Sequence, residues 1–208
     1  MTSNKEIRAF DFEVRAEQDE ERGTFLTGQP IVYNERTDLG WYDEIIADGA
    51  LADADLRDVR FLVNHNTDMI PLARSRNNNT NSTMQMEVVE GKGMSIRVNL
   101  DVENNTEAKS LYSAVKRGDL SGMSFMFLVD GDKWDDIESD HPTRTVTKIS
   151  KVFEVSAVTF PAYEATSIQA RGLADALDSA KASLESEKTA RREIERKKQK
   201  IRILTEVL

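Results

Sequence analysis

The chain has 208 residues, of which 31% are charged and 39% apolar, with a formal net charge of −9. That length allows one domain with a core of its own plus an appendage, and the low apolar share leaves part of the chain unpacked. The acidic balance argues against a general nucleic-acid role, and the lack of cysteine removes disulfides, thiolate nucleophiles and thiolate metal sites. No apolar run approaches the roughly 18 residues that a membrane span needs. Residues 1–17 lack the apolar stretch of a signal peptide, so the chain reads as cytosolic when made.

Phe10, Phe12 and Val14 alternate with charged residues and read as a strand, which ends at the acidic turn Glu17 to Glu21. Gly23 opens a second strand-like run, Thr24 to Tyr33. Residues 38–58 read as a loop and a short helix, Arg60 to His65 as a short strand, and Arg74 to Asn81 as a polar, Asn-rich turn. Thr83 to Val89 and Met94 to Val102 alternate as strands, and Glu90-Gly91-Lys92-Gly93 between them is a hairpin signal. Residues 105–117 form the best helix of the body. Asn104 and Glu107 have capping-box spacing, Leu111, Tyr112 and Val115 share a face, and Gly118 stands where a helix-ending glycine belongs. Leu120 to Val129 then reads as strand, Asp130 to Thr143 as a charged loop, and Arg144 to Ser150 and Val152 to Phe160 as two strands, the last ended by Pro161.

From Gly172 the composition changes. The rest has no proline and no aromatic residue and reads as one long helix. Leu173, Leu177, Ala180 and Leu184 follow heptad spacing, which fails at Glu187 and Arg191, and residues 191–202 are strongly basic. A boundary is expected near 170, between a body of residues 1–170 and a charged helical tail of 171–208. The tail is either a solvated extension or an accessory segment that pairs with other helices and is dispensable for chemistry. The body's many short strands must close or stack to hide their edges. The expected fold is therefore α+β, mainly β: a small antiparallel barrel of about seven strands, flanked by helices.

The chain has two histidines, His65 and His141. A hydrolase with an activated serine needs a base within hydrogen-bond reach, so the base would be one of these or a lysine. His65 ends an apolar strand before the polar turn Asn66-Thr67-Asp68, whereas His141 lies in a polar loop before Pro142. Ser124 sits where an apolar strand follows a glycine-bearing turn, a place where serine needs a partner or a task. Ser121, in the turn itself, is the competing nucleophile. Glu154 is a carboxylate in an apolar strand, which requires pairing: an edge position, a salt bridge, or the orienting of a histidine. Lys148 and Lys151 could serve a Ser–Lys dyad, though no spacing favours either. Asp135 and Asp136 read as a solvated loop. Neither histidine has metal-ligand spacing around it and there is no phosphate loop, so no cofactor or metal is expected.

These residues fall into four ordered segments, through which the chain resembles the prohead proteases of tailed bacteriophages from about Phe10 to Ala165. Gly40-Trp41 with Glu44-Ile45-Ile46 and Gly49-Ala50 is similar to one family segment. Leu62 to Asp68 with Leu72-Ala73-Arg74 resembles the segment around the catalytic histidine. Arg117-Gly118 through Ser124-Phe125 and Phe127 resembles that around the nucleophile. Glu154-Val155-Ser156 with Val158 through Tyr163 resembles the fourth. Ala73 replaces a usual glycine, and Met126 stands where glycine is frequent. Neither change removes a candidate catalytic side chain. The family is also similar in fold to the herpesvirus assembly proteases, which use a Ser–His–His triad on a barrel surrounded by helices.

The resemblance implies Ser124 as nucleophile, His65 as base and Glu154 as the third member, with His141 the other candidate for that place. It implies cleavage of the scaffold region of the capsid precursor, and of the chain itself, inside the assembling prohead in the host cytoplasm. The implied partners are that precursor and a second copy of the chain, with no nucleic acid and no membrane. Two readings compete. One is a non-catalytic scaffolding protein acting through its helical tail. The other is a small esterase-like hydrolase, disfavoured because Met126 breaks the G-x-S-x-G pattern around Ser124.

Overall fold

The computed structural model describes residues 5–10, 14–19, 23–159 and 169–206. In chain order these form β1 (Lys5–Phe10), β2 (Val14–Asp19), β3 (Gly23–Val32), β4 (Arg36–Asp38), β5 (Asp43–Ile46), β6 (Asp58–Val63) and β7 (Ala73–Arg76). There follow β8 (Met84–Val89), β9 (Gly93–Asn99), α1 (Thr106–Arg117), β10 (Gly122–Asp135), β11 (Thr143–Val158) and α2 (Gln169–Glu206). Phe12 and the segment from Pro161 to Tyr163 lie outside the described residues.

The strands make two sheets, and the expected barrel is not what they form. The larger sheet runs β1-β10-β11-β5-β4, with β6 also on β11 and β7 on β6; the smaller runs β2-β3-β9-β8. The reason is the length of β11. Its first residues pair in parallel with β5, Thr143 to Val146 opposite Asp43 to Ile46, and its last residues pair in parallel with β6. Two strands thus share one edge of β11, and the sheet forks there instead of curling onto itself. These parallel pairings also depart from the expected all-antiparallel arrangement. The strands expected at 144–150 and 152–160 are one continuous element. The expected loop at 130–143 is mostly the far end of the β10–β11 hairpin, where register shifts from Met126 to Asp132 bend the ribbon. No helix forms in 38–58; β5 is there, followed by turns whose amides bond three residues back, such as Ala50 to Ala47.

The core lies between the sheets. Leu26, Ile31, Met94 and Val98 of the smaller sheet meet Phe61, Phe125, Phe127 and Val155 of the larger. Phe125 and Phe127 stack with centroids 4.6 Å apart, and burying each ring contributes about 1.5–3 kcal/mol. At Gly93 (φ 119°) a Cβ would meet the Ile31 carbonyl oxygen at 2.0 Å, so only glycine lets β9 start beside β3. Helix α1 caps this core with Ala108, Leu111 and Val115 and ends at Gly118 in the left-handed region (φ 78°). Its N-cap is Asn105, one residue later than expected: the Asn105 side chain accepts from the amides of Glu107 and Ala108, while Asn104 bonds Asp101.

Helix α2 lies on the body through residues 176–184. Ala176, Ala180 and Leu184 are buried, the last two with Tyr42, Trp134 and Ile137. The buried seam is 176-180-184, and Leu177 of the expected heptad is half-buried beside it; the side chain of Leu173 is outside the described residues. Ser179 donates to Glu6 (3.0 Å), and Ser183 donates to Asp132 (2.8 Å) and accepts from the Trp134 indole (3.0 Å). These serines close over a buried ionic network. Arg8 of β1 bonds Glu6 (2.6 Å) and both carboxylate oxygens of Glu44, and Arg144 of β11 bonds Glu6 (2.8 Å), Glu44 (3.2 Å) and Asp132 (2.6 Å).

Candidate active site

The site is assembled on β11, where alternation sends Val155 and Ala157 into the core and turns Glu154 and Ser156 to the opposite face. On β10, Ser124 pairs directly with Ser156, and therefore faces the same way. Ala9 of β1 pairs with Ser124 from the other side. The fourth residue comes from the end of β6, where Leu62 and Val63 pair with Ser156 and Ala157.

A strand continued in that register would put residue 65 opposite Thr159, on the wrong face. Positive φ at Asn64 (50°) and His65 (55°) breaks the alternation and brings the ring back over Glu154. Asn and His are among the residues that tolerate this region best. The bend is tied down: the Asn64 amide donates to Ala157 O (2.9 Å), the Asn64 side chain bonds Thr159 through both its atoms, and the His65 amide donates to Ser156 Oγ (3.1 Å).

The structure thus brings together all three residues singled out from the sequence. His65 Nδ1 lies 2.5 Å from Glu154 Oε1, and His65 Nε2 lies 2.5 Å from Ser124 Oγ. Ser124 is fully buried, Glu154 is 3% exposed and His65 is 8% exposed. Because a carboxylate only accepts, Nδ1 carries its proton toward Glu154, which leaves the Nε2 lone pair facing Ser124. The serine hydroxyl has one proton and two acceptors, His65 Nε2 and the Arg8 carbonyl oxygen at 2.7 Å. One orientation aims the proton at His65 Nε2, and the other aims it at the β1 carbonyl.

The other candidates are elsewhere. Ser121 is exposed in its turn. Lys148 pairs with Asp130 (3.3 Å) and Lys151 with Asp55 (3.0 Å). Both ring nitrogens of His65 are engaged, and His141 bonds Asp43 instead (3.0 Å). The hydrogen bond from His141, aided by Arg36, holds the Asp43 carboxyl below its ordinary range despite burial. Asp38, Asp43 and His141 bring potential ligand atoms within 4.8 Å of one another at the surface, a grouping hidden from the sequence because 98 residues separate Asp43 from His141. Arg36 already pairs with Asp43 there (2.7 Å).

A cleft of about 970 Å³ opens beside the ring, walled by residues 63–69 on one side and by α1 with Leu120 on the other. Two further groups at the site were not singled out as site residues from the sequence, Ser156, which appeared only within the fourth segment, and the Arg8 carbonyl. The first could have been suspected, since a serine two residues after a buried carboxylate shares its strand face; the second is a main-chain atom with no sequence signature.

A buried carboxylate, imidazole and serine hydroxyl in one hydrogen-bonded line can carry acyl transfer. No curated protein sequence matches the chain. Among solved structures, the bacteriophage T4 capsid assembly protease, gp21, is 13% identical, with 75% of this chain and 99% of that one covered and a TM-score of 0.40. The family described as caudovirus prohead serine protease matches residues 10–179. That span takes in Ser124, His65 and Glu154 and most of the chain, and the protein belongs to the caudovirus prohead serine protease family.

Proposed function

We propose that the chain is a serine endopeptidase of capsid maturation that works through Ser124, His65 and Glu154. The observation that carries this reading is the double engagement of His65, 2.5 Å from an acid on one nitrogen and 2.5 Å from a serine on the other. His65 takes the Ser124 proton while Oγ bonds to the scissile carbonyl carbon. The imidazolium, held by Glu154, then protonates the leaving amine, and water releases the acyl group by the same steps in reverse roles. The substrate is the scaffold region of the capsid precursor, and the chain itself, inside the prohead. The cleft beside His65 receives the peptide.

The scaffolding reading draws on the far half of α2, where residues 189–202 are exposed and mostly charged. Within the protease reading this half is the accessory tail that docks on capsid or scaffold helices, while residues 176–184 belong with the body. Among the described residues, no helix is long and apolar enough to cross a membrane. The test is to incubate the chain and Ser124→Ala with the capsid precursor. Loss of cleavage in the variant alone supports the reading, and equal cleavage by both overturns it.

A further inference from the structure

We propose that Ser156 is a positioning residue of this site, holding both the acid and the base; this rests on the roles given above to Ser124, His65 and Glu154. Its hydroxyl donates to Glu154 Oε2 at 2.6 Å and accepts the His65 amide at 3.1 Å. It is fully buried, its single proton goes to Glu154, and one of its two lone pairs takes the His65 amide.

Each bond answers a need. The Glu154 carboxylate can turn about its last bond, and two fixed donors are required to stop it. His65 Nδ1 takes Oε1 and Ser156 takes Oε2, so the plane of the carboxylate is set and Oε1 is aimed at the ring. The His65 main chain sits in the left-handed region, where its amide no longer meets the β6–β11 ladder. Ser156 supplies the missing acceptor at that point and so ties the turn to the strand that bears Glu154.

The placement follows from the pairing. Ser156 is two residues from Glu154 on one strand face and directly opposite Ser124 across the β10–β11 ladder. One small side chain therefore adjoins nucleophile, base and acid. Ser156 touches neither substrate nor the attacked carbonyl in this geometry; it acts through Glu154 and His65.

The experiment is steady-state cleavage of a peptide from the precursor by the full chain, its Ser156→Ala, Ser156→Cys, Glu154→Gln and Ser124→Ala variants, and the Ser156→Ala/Glu154→Gln double variant. Expected for Ser156→Ala is a fall in kcat of about 10²-fold, the scale of a small misplacement of reacting groups, with KM nearly unchanged. Ser156→Cys, slightly larger but keeping a weak donor and a weak acceptor, should recover part of the loss. The double variant should lose much less than the product of its two single losses, because both changes strike one unit. In ¹⁵N-histidine-labelled protein, the Nδ1 proton of His65 should give a far-downfield signal that moves in Ser156→Ala while the fold is retained. If Ser124→Ala still cleaves, the underlying roles fail. If Ser124→Ala is dead and Ser156→Ala keeps full kcat or an unmoved signal, the roles stand and Ser156 is only packing. Losses that multiply in the double variant, or a failure of both Ser156 variants to fold, would also overturn the positioning role.

Discussion

Replacing Arg144 by methionine tests the buried network most directly. Arg144 is 2% exposed and bonds three carboxylates, Glu6 at 2.8 and 3.1 Å, Glu44 at 3.2 Å and Asp132 at 2.6 Å. Burial alone would lower its pKa, but the charge of Glu44 and the hydrogen bonds and charge of Glu6 hold it well above the ordinary value. Arg144→Met leaves Arg8 as the one cation of the network against the three acids. Removing one partner of a buried pair costs about 3–5 kcal/mol. At about 2–4 °C per kcal/mol for a domain of this size, thermal unfolding should come about 6 to 20 °C earlier. Arg144→Lys should recover only part of the loss, because a single ammonium cannot span the carboxylates that the planar fork reaches.

Acid sharpens the test. Burial raises the Glu6 pKa, but the charges of Arg8 and Arg144 and a hydrogen bond from Arg144 outweigh it, so the folded carboxyl titrates below its ordinary range. A lowered carboxyl contributes stability above its unfolded pKa and loses it as pH falls through the folded one. Arg144→Met removes part of the cause, so less stability depends on this carboxylate: the variant should lose less on acidification than the unaltered chain, and the gap between the two should narrow as pH falls. The assay is melting by circular dichroism from pH 7 down to pH 3. A shift under about 3 °C at pH 7, with no change in the acid limb, would mean that desolvation cancels the pairing and would refute the reasoning.

Ser124→Ala and His65→Ala should abolish cleavage to a similar degree, since members of such a unit fail together, while Ser121→Ala and His141→Ala should cleave at close to the unaltered rate; activity lost in His141→Ala would demote Glu154. Glu154→Gln should lower kcat by about 10⁴-fold, measured on a precursor peptide, and a loss under about tenfold would make Glu154 structural. A chain stopped after Lys188 keeps Ala180, Ser183 and Leu184 on the body and should stay folded and cleave peptide, yet fail to enter assembling particles. One stopped near Arg171 should melt earlier, because it uncovers Tyr42, Trp134 and Ile137 and takes Ser179 from Glu6.

Local chemistry was legible where neighbours in the chain decide structure. The β8–β9 hairpin, α1 and its Gly118 end follow from alternation, turn glycines and capping, all of which act within a few residues. The histidine, serine and glutamate stood out for a related reason: each is a polar residue at or in an apolar strand, and burial obliges it to have a partner. Which partner is not a local matter. His65 meets Glu154 across 89 residues and Ser124 across 59, and only the parallel pairing of β6 with β11 and the two left-handed residues that end β6 bring them together. The forked sheet was hidden for the same reason, since strand order depends on long-range pairing that periodicity does not encode. The charged stretch after Val129 was legible as charge and misleading as loop: Asp132 and Arg144 are drawn into strands because they bond each other and the network under α2. Length, charge and strand-like runs of residues by themselves determined a mainly β body with a helical end and a short roster of reactive groups. The tertiary structure alone decided which of those groups share a face, because a side chain's direction follows from register and turn, and both are set by residues far away in the chain.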